Sequence, residues 1–207
     1  MYERTVLRIS HMEENTELLG PYNRFVLWVH GCCFDCEGCL ARNTRYGAFE
    51  EVSVDSLCTR IVKSGCEGIT VSGGEPFLQA AALAELMEAV REYRHIGVIV
   101  YSGFTLEEIR QHSDFLPLLS QIDILIDGRY QKELDDGRAY VGSSNQKIHY
   151  LTQRYAEIGR AYYAQAKRRA EIKFTPNQAI LIGVPSKHVL KLWQEIKQKS
   201  GGGYDAF

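Results

Sequence analysis

Three cysteines, Cys32, Cys36 and Cys39, stand in a C-x3-C-x2-C spacing directly after the apolar run Phe25-Val26-Leu27-Trp28-Val29. The run is continuous, β-branched and aromatic, the pattern of a strand buried on both faces. Such a chain delivers a loop of soft ligands to the C-terminal end of a buried strand, where α/β proteins place their ligands. Cysteine thiolates hold 4Fe–4S clusters, usually four at a time. Three on one short loop cap three corners and leave the fourth iron open to a substrate or cofactor. A zinc site, a disulfide pair and a reactive thiol are the competing readings of these residues. A structural zinc takes four closed ligands, and no second C-x2-C or H-x3-H pair follows downstream. Six cysteines, with four inside eight residues, form the pattern of a metal site and not the spread framework of a secreted disulfide protein.

The rest of the chain alternates strands and helices. Arg4 to Ile9 reads as a short strand, and residues 11–23 are polar with a turn at Gly20-Pro21. Residues 40–50 form a polar connection, after which Ser53 caps a helix carrying Val54, Leu57, Ile61 and Val62 at helical spacing. Gly68 to Val71 is a strand ending in Ser72-Gly73-Gly74-Glu75-Pro76-Phe77, and a helix from Gln79 to Tyr93 follows. Ile96 to Tyr101 is the next buried strand. Beyond Ser102-Gly103-Phe104, Thr105 and Glu108 make a capping box. A fifth strand runs over Ile122 to Tyr130 and carries Asp127 at its C-terminal end, where a turn aspartate and a site residue are both open readings. This rhythm predicts right-handed βαβ units and a parallel sheet. A chain of 207 residues is short for a closed eight-stranded barrel, so a partial (β/α)6 barrel is expected, with a C-terminal hairpin and helix. Residues 1–207 are expected to be one domain, with a core over about 4–148 and an extension over about 149–207. In the extension, Tyr150 to Ala170 is a helix weakened by Gly159. Ala170 to Phe174 and Ala179 to Val184 are strands joined through Thr175-Pro176-Asn177-Gln178. Ser186 caps a last helix, and the tail from Ser200 to Phe207 is flexible by composition.

Two glycines at Gly73-Gly74 let the backbone approach a bound molecule closely, and a ligand ammonium would find acceptors in their carbonyls and in Glu75. A plain strand-to-helix turn is the competing reading of the glycines alone. With the C-x3-C-x2-C loop, this segment resembles the radical S-adenosylmethionine (radical SAM) superfamily. The resemblance implies that Cys32, Cys36 and Cys39 hold a 4Fe–4S cluster whose fourth iron takes S-adenosylmethionine, and that Gly73, Gly74 and Glu75 contact its amino group. Ser102 is expected to face the same crevice and bond the ribose or carboxylate. The segment Gly142-Ser143-Ser144-Asn145-Gln146-Lys147 is similar to one in the activating proteins of anaerobic (class III) ribonucleotide reductase, as are Tyr101-Ser102-Gly103 and Ile126-Asp127-Gly128. Lys147 stands where that family leads one to expect arginine, which keeps the charge but not the guanidinium fork. On this resemblance Asp127, Ser144 and Asn145 join the cofactor-binding set. His30 reads as a packing residue, Cys58 and Cys66 as ordinary semi-buried cysteines, and Cys33 as a neighbour of the ligands.

A net charge of −2 argues against a general nucleic-acid surface. The sequence has no 18-residue apolar stretch and no signal-like start at Met1-Tyr2-Glu3-Arg4, so no membrane and a cytoplasmic location are expected. The resemblance implies an enzyme that cleaves S-adenosylmethionine to a 5'-deoxyadenosyl radical. Its expected partners are a glycyl radical enzyme, the large subunit of anaerobic ribonucleotide reductase, and an electron donor such as flavodoxin or ferredoxin. A stand-alone radical SAM enzyme acting on a small molecule or peptide, and a non-catalytic iron–sulfur or zinc protein, are the alternatives.

Overall fold

The continuous apolar runs do become a buried sheet, and the parity of their side chains decides what covers each face. The structure is a computed structural model that describes residues 5–165, 167–174, 176, 178–199 and 203–207. In chain order the strands and helices are β1 (Val6–Thr16), β2 (Arg24–Val29), α1 (Asn43–Tyr46), β3 (Glu50–Ser53), α2 (Val54–Ser64) and β4 (Gly68–Gly73). They continue with α3 (Ala80–Arg91), β5 (Gly97–Tyr101), α4 (Leu106–Gln111), α5 (Leu116–Leu119) and β6 (Ile124–Asp127). The last are β7 (Lys147–Tyr150), α6 (Ile158–Gln165), β8 (Ala170–Phe174), β9 (Gln178–Gly183), α7 (Lys187–Lys199) and β10 (Gly203–Ala206).

A seven-stranded sheet has the order β3-β1-β2-β4-β5-β6-β7. Its centre, β2-β4-β5-β6, is parallel. β1 lies antiparallel on β2, β3 on β1, and β7 on β6. The sheet is thus mixed where a parallel one was expected, because the outer positions are filled by antiparallel strands. The first strand reaches Thr16 and not Ile9: its polar second half is mostly half-buried and pairs with β2 across the expected Gly20-Pro21 turn. The connection over 40–50 contains α1 and the start of β3, both too short to show periodicity. Ser53 caps α2 by accepting from Ser56 N at 3.3 Å, and the Thr105–Glu108 capping box opens α4.

Phe25, Leu27 and Val29 of β2, with Ile69, Val71, Val98 and Val100, point to one face and meet α2 and α3 through Leu57, Ile61, Leu83, Leu86 and Val90. Val26 and Trp28 point the other way, onto Ile180, Ile182 and Phe207. Ile99, Ile124 and Ile126 share that second face with Tyr155. The inner face of the sheet is therefore covered by the C-terminal extension. A small sheet, β10-β9-β8, does this, with β8 and β9 antiparallel as expected and β10 parallel to β9. Of the expected hairpin residues Thr175 and Asn177, and of the tail Ser200 to Gly202, all lie outside the described residues. The tail reading is corrected for Gly203 to Phe207, which form a strand and a buried ring. The expected helix over 150–170 is confined to Ile158–Gln165.

Arg24, fully buried at the start of β2, bolts the opposite end of the sheet. Its guanidinium donates to Glu67 Oε2 (2.8 Å), Tyr155 Oη (2.7 Å), Thr70 Oγ1 (3.1 Å) and the carbonyls of Ile69 and Gly97. All its donor directions are used, as a buried guanidinium requires.

Candidate functional site

The three cysteines leave β2 on a loop that begins at Gly31 (φ 95°), and the end of β4 packs directly on it. Gly74 N donates to Val29 O, and Glu75 N to Gly31 O, both at 2.8 Å. A Cβ at Gly74 would lie 1.9 Å from Gly31 O, and one at Gly73 (φ 107°) would lie 2.5 Å from Val29 N. The close backbone approach that the two glycines permit is thus an approach to the cysteine loop itself. Phe34 anchors the loop from inside: its ring lies edge-on to Phe104 at 4.8 Å, beneath the Arg129 guanidinium at 4.5 Å, and against Gly103. Phe34 N donates to Cys32 Sγ at 3.4 Å.

Cys32, Cys36 and Cys39 line one cavity of about 270 Å³ together with Gly73, Gly74, Glu75 and Ser102. It lies at the C-terminal ends of the parallel strands, as the sequence order anticipates. Glu75 is fully buried. Its carboxylate accepts from Ser102 Oγ (2.9 Å), Gly103 N (2.7 Å) and Phe77 N (3.0 Å). Burial pushes its pKa up to about 7, and these three hydrogen bonds oppose the shift. Among the described residues no cation pairs with it. Burial also pushes the Cys32 thiol up to about 11 and raises those of Cys39 and Cys33. Metal ions favour the thiolate and offset that cost. The residues therefore fit an iron–sulfur cluster in the chemistry of the donors, with a buried carboxylate and strand-end carbonyls beside it to receive a cationic ligand. No group of three His, Cys, Asp or Glu side chains among the described residues converges on a single metal ion.

The other expected residues divide. Asp127, Ser144 and Asn145 are outside the cavity lining. Asp127 is buried and works as a joint: its Oδ2 accepts from Leu106 N, the first residue of α4, at 2.6 Å and lies 2.9 Å from His149 Nε2. The 142–147 loop is stitched to the segment after β6. Asn145 Nδ2 donates to Arg129 O (2.8 Å), Gln146 Nε2 to Gly128 O (2.7 Å), and Ser144 N to Leu134 O (2.8 Å). Gln146, Arg129, Tyr101 and Trp28 do line the cavity. Arg129, two residues past a strand end, was open to the strand-end rule. Phe207 and Arg168, which reach the cavity from the extension, carry no sequence signal. His30 is a packing residue, stacked on Phe49 at 4.3 Å.

Residues 18–149 match the family described as "4Fe-4S single cluster domain". The chain is 33% identical over 136 residues to the anaerobic ribonucleoside-triphosphate reductase-activating protein of Enterobacteria phage T4, covering 62% of this chain and 85% of that protein. It is 34% identical over 146 residues to the protein of the same name from Vibrio cholerae, covering 64% and 91%. It is also similar, at 32% over 85 residues, to the pyruvate formate-lyase-activating enzyme of Listeria monocytogenes, covering 38% and 34%.

Proposed function

We propose a function from one premise: the chain belongs to the 4Fe–4S single cluster domain family and to the anaerobic ribonucleoside-triphosphate reductase-activating proteins, within the radical SAM superfamily. It is an iron–sulfur enzyme that uses S-adenosylmethionine, and its product is a glycyl radical on an anaerobic ribonucleotide reductase. The observation that carries this reading is the meeting of Cys32, Cys36 and Cys39 with Gly73, Gly74 and Glu75 around one cavity.

When bound, the cluster would supply the one electron for reductive cleavage of S-adenosylmethionine, the chemistry that removes a hydrogen atom from the partner's glycine. Everything else falls to this chain's own residues. Cys32, Cys36 and Cys39 would hold three irons. Glu75, with no cation of its own, would receive the ligand's ammonium beside the Gly73 and Gly74 carbonyls. Ser102 would act by holding the Glu75 carboxylate, and its hydroxyl proton is already committed there. Asp127, Ser144 and Asn145 enter this reading as supports of the strand-end loops. The four parallel strands would be consecutive units of a partial (β/α)6 barrel, and the core shared by Trp28, Ile182 and Phe207 supports one domain over residues 1–207. A flavodoxin or ferredoxin in the cytoplasm would supply the electron.

The test is anaerobic reconstitution, reduction and addition of S-adenosylmethionine with an anaerobic ribonucleotide reductase large subunit, read by electron paramagnetic resonance. A glycyl-radical doublet with matching 5'-deoxyadenosine supports the reading. 5'-Deoxyadenosine without a protein radical would move the substrate to a small molecule or peptide.

A further inference from the structure

The two halves of the cysteine loop are anchored to different parts of the molecule. The first half, around Cys32, is held by the core through Gly31, Phe34, Gly103 and Arg129. The second half, after Cys39, is tied back to the first by Gly31 N donating to the carbonyl of buried Thr44 at 2.8 Å, and its other anchor is the extension. Leu40 packs onto the apolar cluster of Ala179, Leu181, Trp193 and Ala206. Three residues on, Asn43 Nδ2 donates to Asp205 Oδ1 and, at 3.4 Å, to Tyr204 O. Between these anchors the side-chain ties of the loop are ion pairs at exposed or half-buried groups: Lys132 with Glu37, and Arg42 and Arg45 with Asp35. Such pairs hold a backbone weakly.

The extension is itself fixed to the core. Arg168 donates to Asp135 and to Gly142 O (3.1 Å), and Ile180, Ile182 and Phe207 pack on Val26 and Trp28. The family match ends at residue 149, so this second anchor comes from beyond the shared part. We infer that β9, α7 and β10 are a positioning element for the cysteine loop, holding Cys36 and Cys39 in place through Leu40 and Asn43. The inference extends the proposed function, since it gives the extension a role in presenting cluster ligands, but its test needs no cluster.

The test uses the full chain, first metal-free, as wild type and as Leu40→Ala, Asn43→Ala and Leu40→Met. Amide hydrogen exchange over residues 36–46 and iodoacetamide labelling of Cys36 and Cys39 are followed by mass spectrometry. Leu40→Ala is expected to speed both about tenfold, Asn43→Ala less, and Leu40→Met to restore the wild-type rates. Exchange in β5 and labelling of buried Cys58 stay unchanged. Unchanged exchange in Leu40→Ala, or equal acceleration throughout the fold, would overturn the inference. After reconstitution, iron loss to a chelator should accelerate in the same order. If the wild type takes up no cluster while exchange still separates the variants, the cluster reading fails and the positioning role stands.

Discussion

Two fully buried charges sit at opposite ends of the same parallel sheet, and they are treated in opposite ways. At the N-terminal ends, Arg24 meets a carboxylate, a tyrosine, a threonine and two carbonyls, so its burial is compensated within the chain. At the C-terminal ends, Glu75 has three hydrogen bonds and no cation among the described residues, and its pKa rises to about 7. One end is closed for stability. The other is left short of one positive charge, in a cavity that also presents three thiols. The difference teaches that a buried charge is a clue to function only when its partners within the chain do not add up.

Substitutions at the two ends should separate activity from stability. Cys36→Ala is expected to bring 5'-deoxyadenosine formation down to background, with an unfolding midpoint close to wild type, because Cys36 is half-exposed in a loop. Retained turnover would break the cluster assignment. Arg24→Ala should do the reverse. It removes the five hydrogen bonds of a buried guanidinium and leaves a cavity, although Glu67 keeps its pair with Arg154, and should cost about 2–5 kcal/mol in urea unfolding, while any folded fraction keeps its affinity for S-adenosylmethionine. Gly74→Ala forces a methyl against Gly31 O and should cost up to about 3 kcal/mol, with loss of cluster uptake because the cysteine loop must move.

The smallest effect is the most diagnostic. The folded pKa of Glu75 lies above the ordinary value of 4.5, so the native state binds the extra proton. The contribution is favourable at low pH and is lost as pH rises from about 4.5 to about 7. Glu75→Gln should flatten this slope, while its amide NH2 faces a donor, Gly103 N or the Phe77 N and Ser102 Oγ pair, and lowers stability by a pH-independent amount. It should also weaken S-adenosylmethionine binding to the reconstituted protein. A variant that kept the wild-type pH slope would show that Glu75 does not carry it.

The sequence exposed the parts of this site that depend on residue type. Cysteine spacing located the thiols, and the Gly-Gly-Glu turn located the segment that packs on them. The strand-end rule put both at one edge of a sheet. It did not expose what depends on pairing across long distances. β1, β3 and β7 lie antiparallel at edges where periodicity carries no direction, so a parallel sheet was expected where the observed one is mixed. Asp127 looked like a site residue because of its place at a strand end, but its carboxylate is taken by Leu106 N and faces His149. Gly203 to Phe207 read as flexible because glycine dominates the preceding residues, whereas Phe207 stacks on His11 at 4.6 Å and fills the inner face beside Trp28. Local composition does not foresee a ring buried by a partner almost 200 residues away in sequence.

The central claim, that the open end of the sheet binds a cluster and completes itself with a cationic ligand, is tested most directly by one spectrum. The reconstituted, reduced wild-type protein is frozen before and after addition of S-adenosylmethionine, and 5'-deoxyadenosine is quantified in the same sample. The account predicts that the iron–sulfur signal changes on addition and that 5'-deoxyadenosine appears. A full cluster whose signal is unmoved by S-adenosylmethionine, with no 5'-deoxyadenosine, would contradict it.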